Sequence, residues 1–361
     1  MLTYQDYFAP ISAQNTFFAG ANTADGFFAE YKNLLSEDVF EKIYIIKGGS
    51  GTGKSTLMRR AADIAEKKGW HTMYLLCSSD PESLDGVIIE NKGRRIAIID
   101  GTAPHTCDPQ YPGACGEIVN TGDFWRSQIL EAQKEDISLL VKEKKEAYAA
   151  AYRYLSAAGD VFSLQQRLCG HCLEREKMES AAERLASSFK NGKGDGRITY
   201  RRTLAVSMKG AVRLTSFEEA ENLFGVCDCA FISPEFYKSL LQALLLRNFD
   251  VTVSLSPIGG IAELYIPGAD AAFVPAREGV EYRKVINLRR FANAEKMSEV
   301  KQKRIFSSKC LSAVMEGATE CLSTARDIHF ALENIYRKAM DFKGLDALIK
   351  KLSEDISLRL E

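Results

Sequence analysis

The stretch Lys42-Ile43-Tyr44-Ile45-Ile46-Lys47-Gly48-Gly49-Ser50-Gly51-Thr52-Gly53-Lys54-Ser55-Thr56 decides the reading of this chain. Its first six residues are β-branched and aromatic enough for a strand. Gly48 to Ser55 then satisfies G-x-x-x-x-G-K-[ST], in which glycines let backbone N–H groups close around phosphate oxygens. Thr56-Leu57-Met58-Arg59-Arg60-Ala61-Ala62-Asp63-Ile64-Ala65-Glu66-Lys67-Lys68-Gly69 continues as an amphipathic helix that stops at a glycine. Strand, glycine loop and helix in that order put the loop at a helix N-terminus, where the dipole favours anions. The expected ligand is a nucleoside triphosphate, cradled by Gly48, Gly49, Ser50, Gly51, Thr52, Gly53, Lys54, Ser55 and Thr56. Lys54 would reach the β- and γ-phosphates, and Ser55 would ligate Mg²⁺.

Around this core, 361 residues with 46% apolar content are enough for two or three domains. Lys plus Arg number 47 against 48 Asp plus Glu, so charge does not indicate nucleic acid or an anionic membrane as partner. The first residues, Met1 to Phe8, carry no basic and apolar leader pattern. The longest greasy run, Leu240 to Leu246, is too short to cross a bilayer. Nine cysteines at uneven spacing fit a reducing compartment, and the expected location is the cytoplasm.

Further strands are expected at Thr72–Cys77 and Arg95–Asp100, which with the intervening helix imply a parallel sheet covered by helices on both faces. From Asp123 to about Lys190 the chain is charged and alanine-rich, with apolar residues three and four apart. It reads as a long helical hairpin with a break at Gly159-Asp160. Asn191 to Gly196 reads as a linker. Sliding the sequence along itself brings Pro234–Leu241 over the first helix, Asn248–Val253 over Gly69–Tyr74, Pro257 over Pro81 and Ala272–Pro275 over Ala97–Asp100. Leu322–Ile328 likewise mirrors Leu155–Val161. The expected fold is therefore a duplicated P-loop-type α/β architecture. Its parts are a unit at 1–122, a helical hairpin at 123–190, a degenerate unit at 191–290 and a helical segment at 291–361. Opposite the glycine loop stands Cys227-Asp228-Cys229-Ala230-Phe231-Ile232-Ser233, with no glycine, and with Ser233 in the place of Lys54 and Pro275 in that of Asp100. Without close backbone approach or a lysine, this second loop is expected not to bind phosphate.

Asp100 ends an apolar strand, as a Mg²⁺-holding aspartate does, or else it caps the following turn. The next residue is Gly101 rather than a glutamate, so another carboxylate must orient the attacking group. Asp80 follows the second strand, where open α/β sheets face their ligands, but an aspartate before Pro81 also initiates turns. Asp85, before Gly86, is a weaker candidate for the same role, since an Asp-Gly pair is usually a turn. His105 is either a γ-phosphate sensor or acid–base group, or a solvated loop histidine. Arg59, Arg60, Arg94, Arg95 and Arg126 are candidates for transition-state charge. Cys169-Gly170-His171-Cys172 has the spacing of a thiol–disulfide exchange motif in a helical rather than a thioredoxin-like setting. Cys227-x-Cys229 lacks a zinc-site pattern.

The segments Phe18–Phe27, Ile46–Ser55, Cys77–Val87 and Asp100–His105 together resemble a family of uncharacterised bacterial P-loop ATPases built from two tandem halves. Members are similar in having a P-loop in each half, and this chain departs by losing the second. The resemblance implies ATP binding and a cytoplasmic setting. Three functions compete: an Mg-dependent ATPase using Lys54, Asp80, Asp100 and His105 and coupled to an unknown protein or small-molecule partner; a small-molecule kinase with Asp80 as base; and a nucleotide-gated interaction protein with negligible turnover.

Overall fold

The computed structural model describes residues 7–190, 192–228 and 231–361. Met1–Asp6, Asn191 of the expected linker, and Cys229 and Ala230 of the second loop lie outside the described residues. In chain order the first half contains β1 (Ala9–Ile11), β2 (Thr16–Phe18), β3 (Gly20–Thr23), β4 (Gly26–Ala29), α1 (Tyr31–Leu34), β5 (Lys42–Lys47), α2 (Lys54–Lys67), β6 (His71–Leu76), β7 (Leu84–Asn91), β8 (Arg94–Asp100) and β9 (Gly116–Asn120). The helices α3 (Ser127–Glu131), α4 (Lys134–Gly170) and α5 (Arg175–Ser187) follow. The second half runs β10 (Ile198–Tyr200), β11 (Leu204–Ser207), β12 (Gly210–Leu214), β13 (Asn222–Cys227), α6 (Ser233–Leu245), β14 (Val251–Leu255), β15 (Ile261–Ile266), β16 (Ala271–Pro275), β17 (Lys284–Asn287), α7 (Ala294–Glu299), α8 (Lys301–Ala339) and α9 (Phe342–Leu360).

The protein is an α/β fold with two six-stranded mixed sheets. Their orders are β2-β6-β7-β8-β5-β9 and β10-β14-β15-β16-β13-β17, the same sequence of positions in each. The expected all-parallel sheet is corrected here. The third strand of each sheet, β7 or β15, runs antiparallel to both neighbours. The run Gly86-Val87-Ile88-Ile89 is the strand that a β–α–β reading skips. Lys92 and Gly93, both at positive φ, close it onto β8 in a two-residue hairpin. Helices on both faces is corrected as well. In the first unit α2 and α9 cover one face of the sheet, and in the second unit α5 and α6 do. The opposite faces share one core, in which Ile43, Ile45, Ala97 and Ile99 meet Leu223, Ala272 and Val274, with Phe17 and Phe217 between.

The helical segments differ from the expected hairpin too. No break occurs at Gly159-Asp160, and α4 runs through for 37 residues. The glycine serves close packing instead, since a Cβ there would lie 2.8 Å from that of Ala24. The buried residues Ala151, Leu155, Ala158, Phe162, Gln165 and Cys169 alternate by three and four, a coiled-coil seam. They pack antiparallel on α8, where Gln165 Nε2 donates to Ser308 Oγ at 2.9 Å. Because the two long helices cross, each delivers its successor to the other unit. Helix α5 lies on α6, whereas α9 lies on α2 through Leu345, Ile349, Leu352 and Ile356. The linker residues Gly192 and Gly194 are pinned, donating to Arg247 O and Asn248 O at 3.0 Å each.

Candidate functional site

The glycine loop joins β5 to α2. It is glycine-rich because of what surrounds it. A Cβ at Gly48 would fall 1.9 Å from Thr121 Oγ1, and Gly51, at φ +69°, would place one 2.7 Å from Glu333 Cγ on α8. Thr52 Oγ1 donates to Gly49 O at 2.9 Å and holds the turn closed. The first bond of α2 runs from Leu57 N to Gly53 O, so the amides of Lys54, Ser55 and Thr56 precede the intrahelical pattern. Lys54 Nζ donates to Gly48 O at 3.0 Å and Gly49 O at 2.7 Å, and lies 3.5 Å from Asp100 Oδ2. Ser55 Oγ accepts from Leu84 N at 3.2 Å. Open amides, a lysine folded onto the loop and a hydroxyl beside a buried carboxylate together form a donor set that fits a magnesium-bound triphosphate.

Asp100 ends β8, and its two oxygens have different partners. Oδ1 accepts from Thr102 N at 2.8 Å and Thr102 Oγ1 at 2.5 Å, capping the turn, while Oδ2 faces Lys54. Asp80 lines the same cavity and makes an Asx turn, accepting from Glu82 N at 3.2 Å. Burial raises its carboxyl above the usual range. Two expectations are corrected here. Asp85 is not a turn residue but the second residue of β7, buried, with Oδ2 2.9 Å from His105 Nε2. His105 is not solvated but 5% exposed, with the edge of Phe27 against it at 4.7 Å between centroids. Burial opposes protonation of its ring, yet the carboxylates of Asp85 and Asp100 outweigh burial and raise its pKa.

Above the loop the cavity, about 690 Å³, is closed by the two long helices. Lys144 and Tyr148 of α4 and Arg326, His329 and Arg337 of α8 line it. Tyr336 packs tilted against Trp125, 5.4 Å between ring centroids, and lies over Gly49. Burial lowers the pKa of Lys144, and the nearby Lys54 ammonium adds to this. Burial together with both lysines pushes His329 down to about 4. These residues escaped the sequence reading because a charged helix face looks solvated until its partner is known. The five arginines singled out above line no part of this cavity. Arg60 pairs with Asp346 at 2.6 Å, Arg95 with Glu90 at 2.6 Å, and Arg94 and Arg126 donate to carbonyls of Arg359 and Lys338. Arg59 donates to Glu82 O.

Cys169 and Cys172 close α4 as buried free thiols, and burial raises Cys169 to about 11. A thiol so raised is a poor exchange nucleophile. Cys229 lies outside the described residues, so the Cys227 pair is left as a sequence motif.

The corresponding turn of the second unit carries its own anion. Asp228, fully buried, accepts from Ile232 N at 3.2 Å and Ser233 N at 2.9 Å, the first amides of α6. Phe231 stands edge-on to Phe162 of α4 in an apolar cluster with Ile258, Leu311 and Met315.

Comparison of the chain with protein-family models, curated proteins and solved structures gave no match.

Proposed function

We propose that the chain is a magnesium-dependent P-loop ATPase with one working nucleotide site, in which the second α/β unit is a degenerate copy of the first. The observation that carries this is the convergence of Lys54, Lys144 and Arg326 on an open helix N-terminus. Four basic side chains of the cavity, Lys54, Lys144, Arg326 and Arg337, stand against four carboxylates, and among the described residues Lys144 has no ion-pair partner, which leaves its ammonium available to a phosphate. Gly48 to Thr56 bind the phosphates, and Ser55 and Asp100 hold Mg²⁺, which neutralises charge on the transferring phosphoryl group when bound. Lys54 exchanges loop carbonyls for phosphate oxygens. Glu333, Tyr336 and Arg337 sit directly on the loop at the end of α8 that leads into α9, and α9 packs on α2, so nucleotide there bears on both helices. That contact favours ATP hydrolysis coupled to movement of the helices.

The test is phosphate release by the purified protein with ATP and Mg²⁺, with and without cell metabolites, beside Lys54→Ala. Steady release abolished by the substitution supports the ATPase. Release that needs an acceptor and yields a phosphorylated product would make it a kinase with Asp80 as base. Absence of any nucleotide-dependent thermal stabilisation overturns the reading.

A further inference from the structure

We propose that Cys77, Asp85 and His105 bind one zinc-class divalent cation beside the glycine loop, at a site separate from the magnesium expected at Ser55 and Asp100. Cys77 follows β6, Asp85 is the second residue of β7, and His105 lies in the loop after β8, so three neighbouring strand ends bring them together. One ligand atom from each lies within 4.8 Å of the other two. All three residues line the cavity. Sulfur, carboxylate oxygen and imidazole nitrogen are the donors zinc takes, at about 2.3, 2.0–2.2 and 2.0–2.1 Å. Three protein ligands with a fourth position left open is the catalytic rather than the structural pattern.

A second observation points to a missing centre. Asp85 and His105 are each 5% exposed, yet Asp85 Oδ2 and His105 Nδ1 have no hydrogen-bond partner. Asp85 Oδ2 is met only by the ion pair with His105 Nε2 at 2.9 Å, and among the described residues His105 Nδ1 has no partner. A buried ring nitrogen in this state is uncommon in folded proteins, and a cation taken by Asp85, Cys77 and one nitrogen of His105 would replace the bare ion pair. The surroundings suit an ion site. Tyr31 Oη lies 2.9 Å from both Asp85 O and Asp100 O, which share its one proton, and the rings of Phe27 and Tyr31 wall off His105. On binding, the Cys77 S–H bond breaks, its proton leaves to solvent and a metal–sulfur bond forms. A fourth ligand, water or an oxyanion oxygen, would complete the set from the cavity that all three residues line.

The experiment uses metal-free full-length protein titrated with Zn²⁺ against a chromogenic chelator, then with Co²⁺ for spectroscopy. One zinc per chain is expected, and a thiolate-to-cobalt charge-transfer band that Cys77→Ser removes. Asp85→Asn and His105→Gln should weaken zinc by at least about 10–100-fold, the loss caused by removing even an outer partner of a ligand. Lys54→Ala should keep its zinc, so a failed nucleotide reading leaves this result standing. Should the variants misfold, wild-type protein still decides, because Zn²⁺ should slow alkylation of Cys77, read by mass spectrometry, but not that of Cys227 or Cys310. Substoichiometric zinc, a cobalt spectrum unchanged in Cys77→Ser, or unprotected Cys77 each overturns the proposal.

Discussion

Helices α2 and α6 leave equivalent strands of two sheets with the same order, and their first turns are neutralised in opposite ways. At α6 the Asp228 carboxylate bonds two amides from inside the chain. At α2 no side chain caps the helix. The residues overhead follow the same division when α4 and α8 are counted from their first residues, Lys134 and Lys301. Lys144 of α4 stands where α8 has Leu311, and His329 of α8 where α4 has Phe162. One end of the helical pair covers a polar cavity and the other a packed core. A helix N-terminus attracts an anion in either case. What differs is whether the chain supplies that anion itself.

The comparison breaks most plainly at Lys54. Lys54→Ala should lower ATP hydrolysis by about 10²–10³-fold, the loss typical of one preorganised charge-stabilising donor. Ser233→Lys in the other unit should confer no nucleotide-dependent stabilisation, because Asp228 holds the anion position. Phosphate release measures the first and a thermal-shift titration the second.

The next largest effect lies in pH. His329 titrates near 4 in the folded protein and near 6.5 when unfolded. The unfolded chain therefore takes its proton first. The stability this group permits is complete above pH 6.5 and declines as pH falls toward 4, by about 3 kcal/mol. His329→Phe, which copies Phe162, should flatten urea-derived stability across that window, and an unchanged slope would sink the account.

Asp228→Ala should cost about 2 kcal/mol by leaving two α6 amides unpaired, while ATP affinity stays as in wild type. Equilibrium unfolding beside nucleotide titration reads the two together, and a fall in affinity would mean the units are not separable. The smallest effect is expected at Lys144. Lys144→Met should weaken ATP about tenfold, as for a partly buried phosphate contact worth roughly 1.4 kcal/mol. The same variant should slightly stabilise the free protein, since a half-buried ammonium without a counter-ion is removed.

How much was legible follows from range in the chain. Gly48 to Thr56, Asp100 and the strand–loop–helix order were readable because each rests on neighbours within a few residues. The chain also showed that Cys227 to Ser233 holds no glycine. Asp85 was misread because Asp-Gly is a turn signal locally, whereas pairing of β7 between β6 and β8 overrides it. Gly159 was misread because a helical glycine signals a break only when nothing packs against it.

The sequence by itself determined the strand–glycine loop–helix order at Lys42 to Lys67, the place of Lys54 at the start of that helix and the absence of glycine from Cys227 to Ser233, since these are matters of neighbouring residues. Only the tertiary structure decided that the sheets are mixed and packed face to face. It alone decided that α4 and α8 cross to exchange α5 and α9, and that Lys144, Arg326 and His329 roof the site. The physical reason is that a charged helix face has the same pattern whether it meets water or a phosphate cavity. Burial by a partner distant in sequence makes the difference.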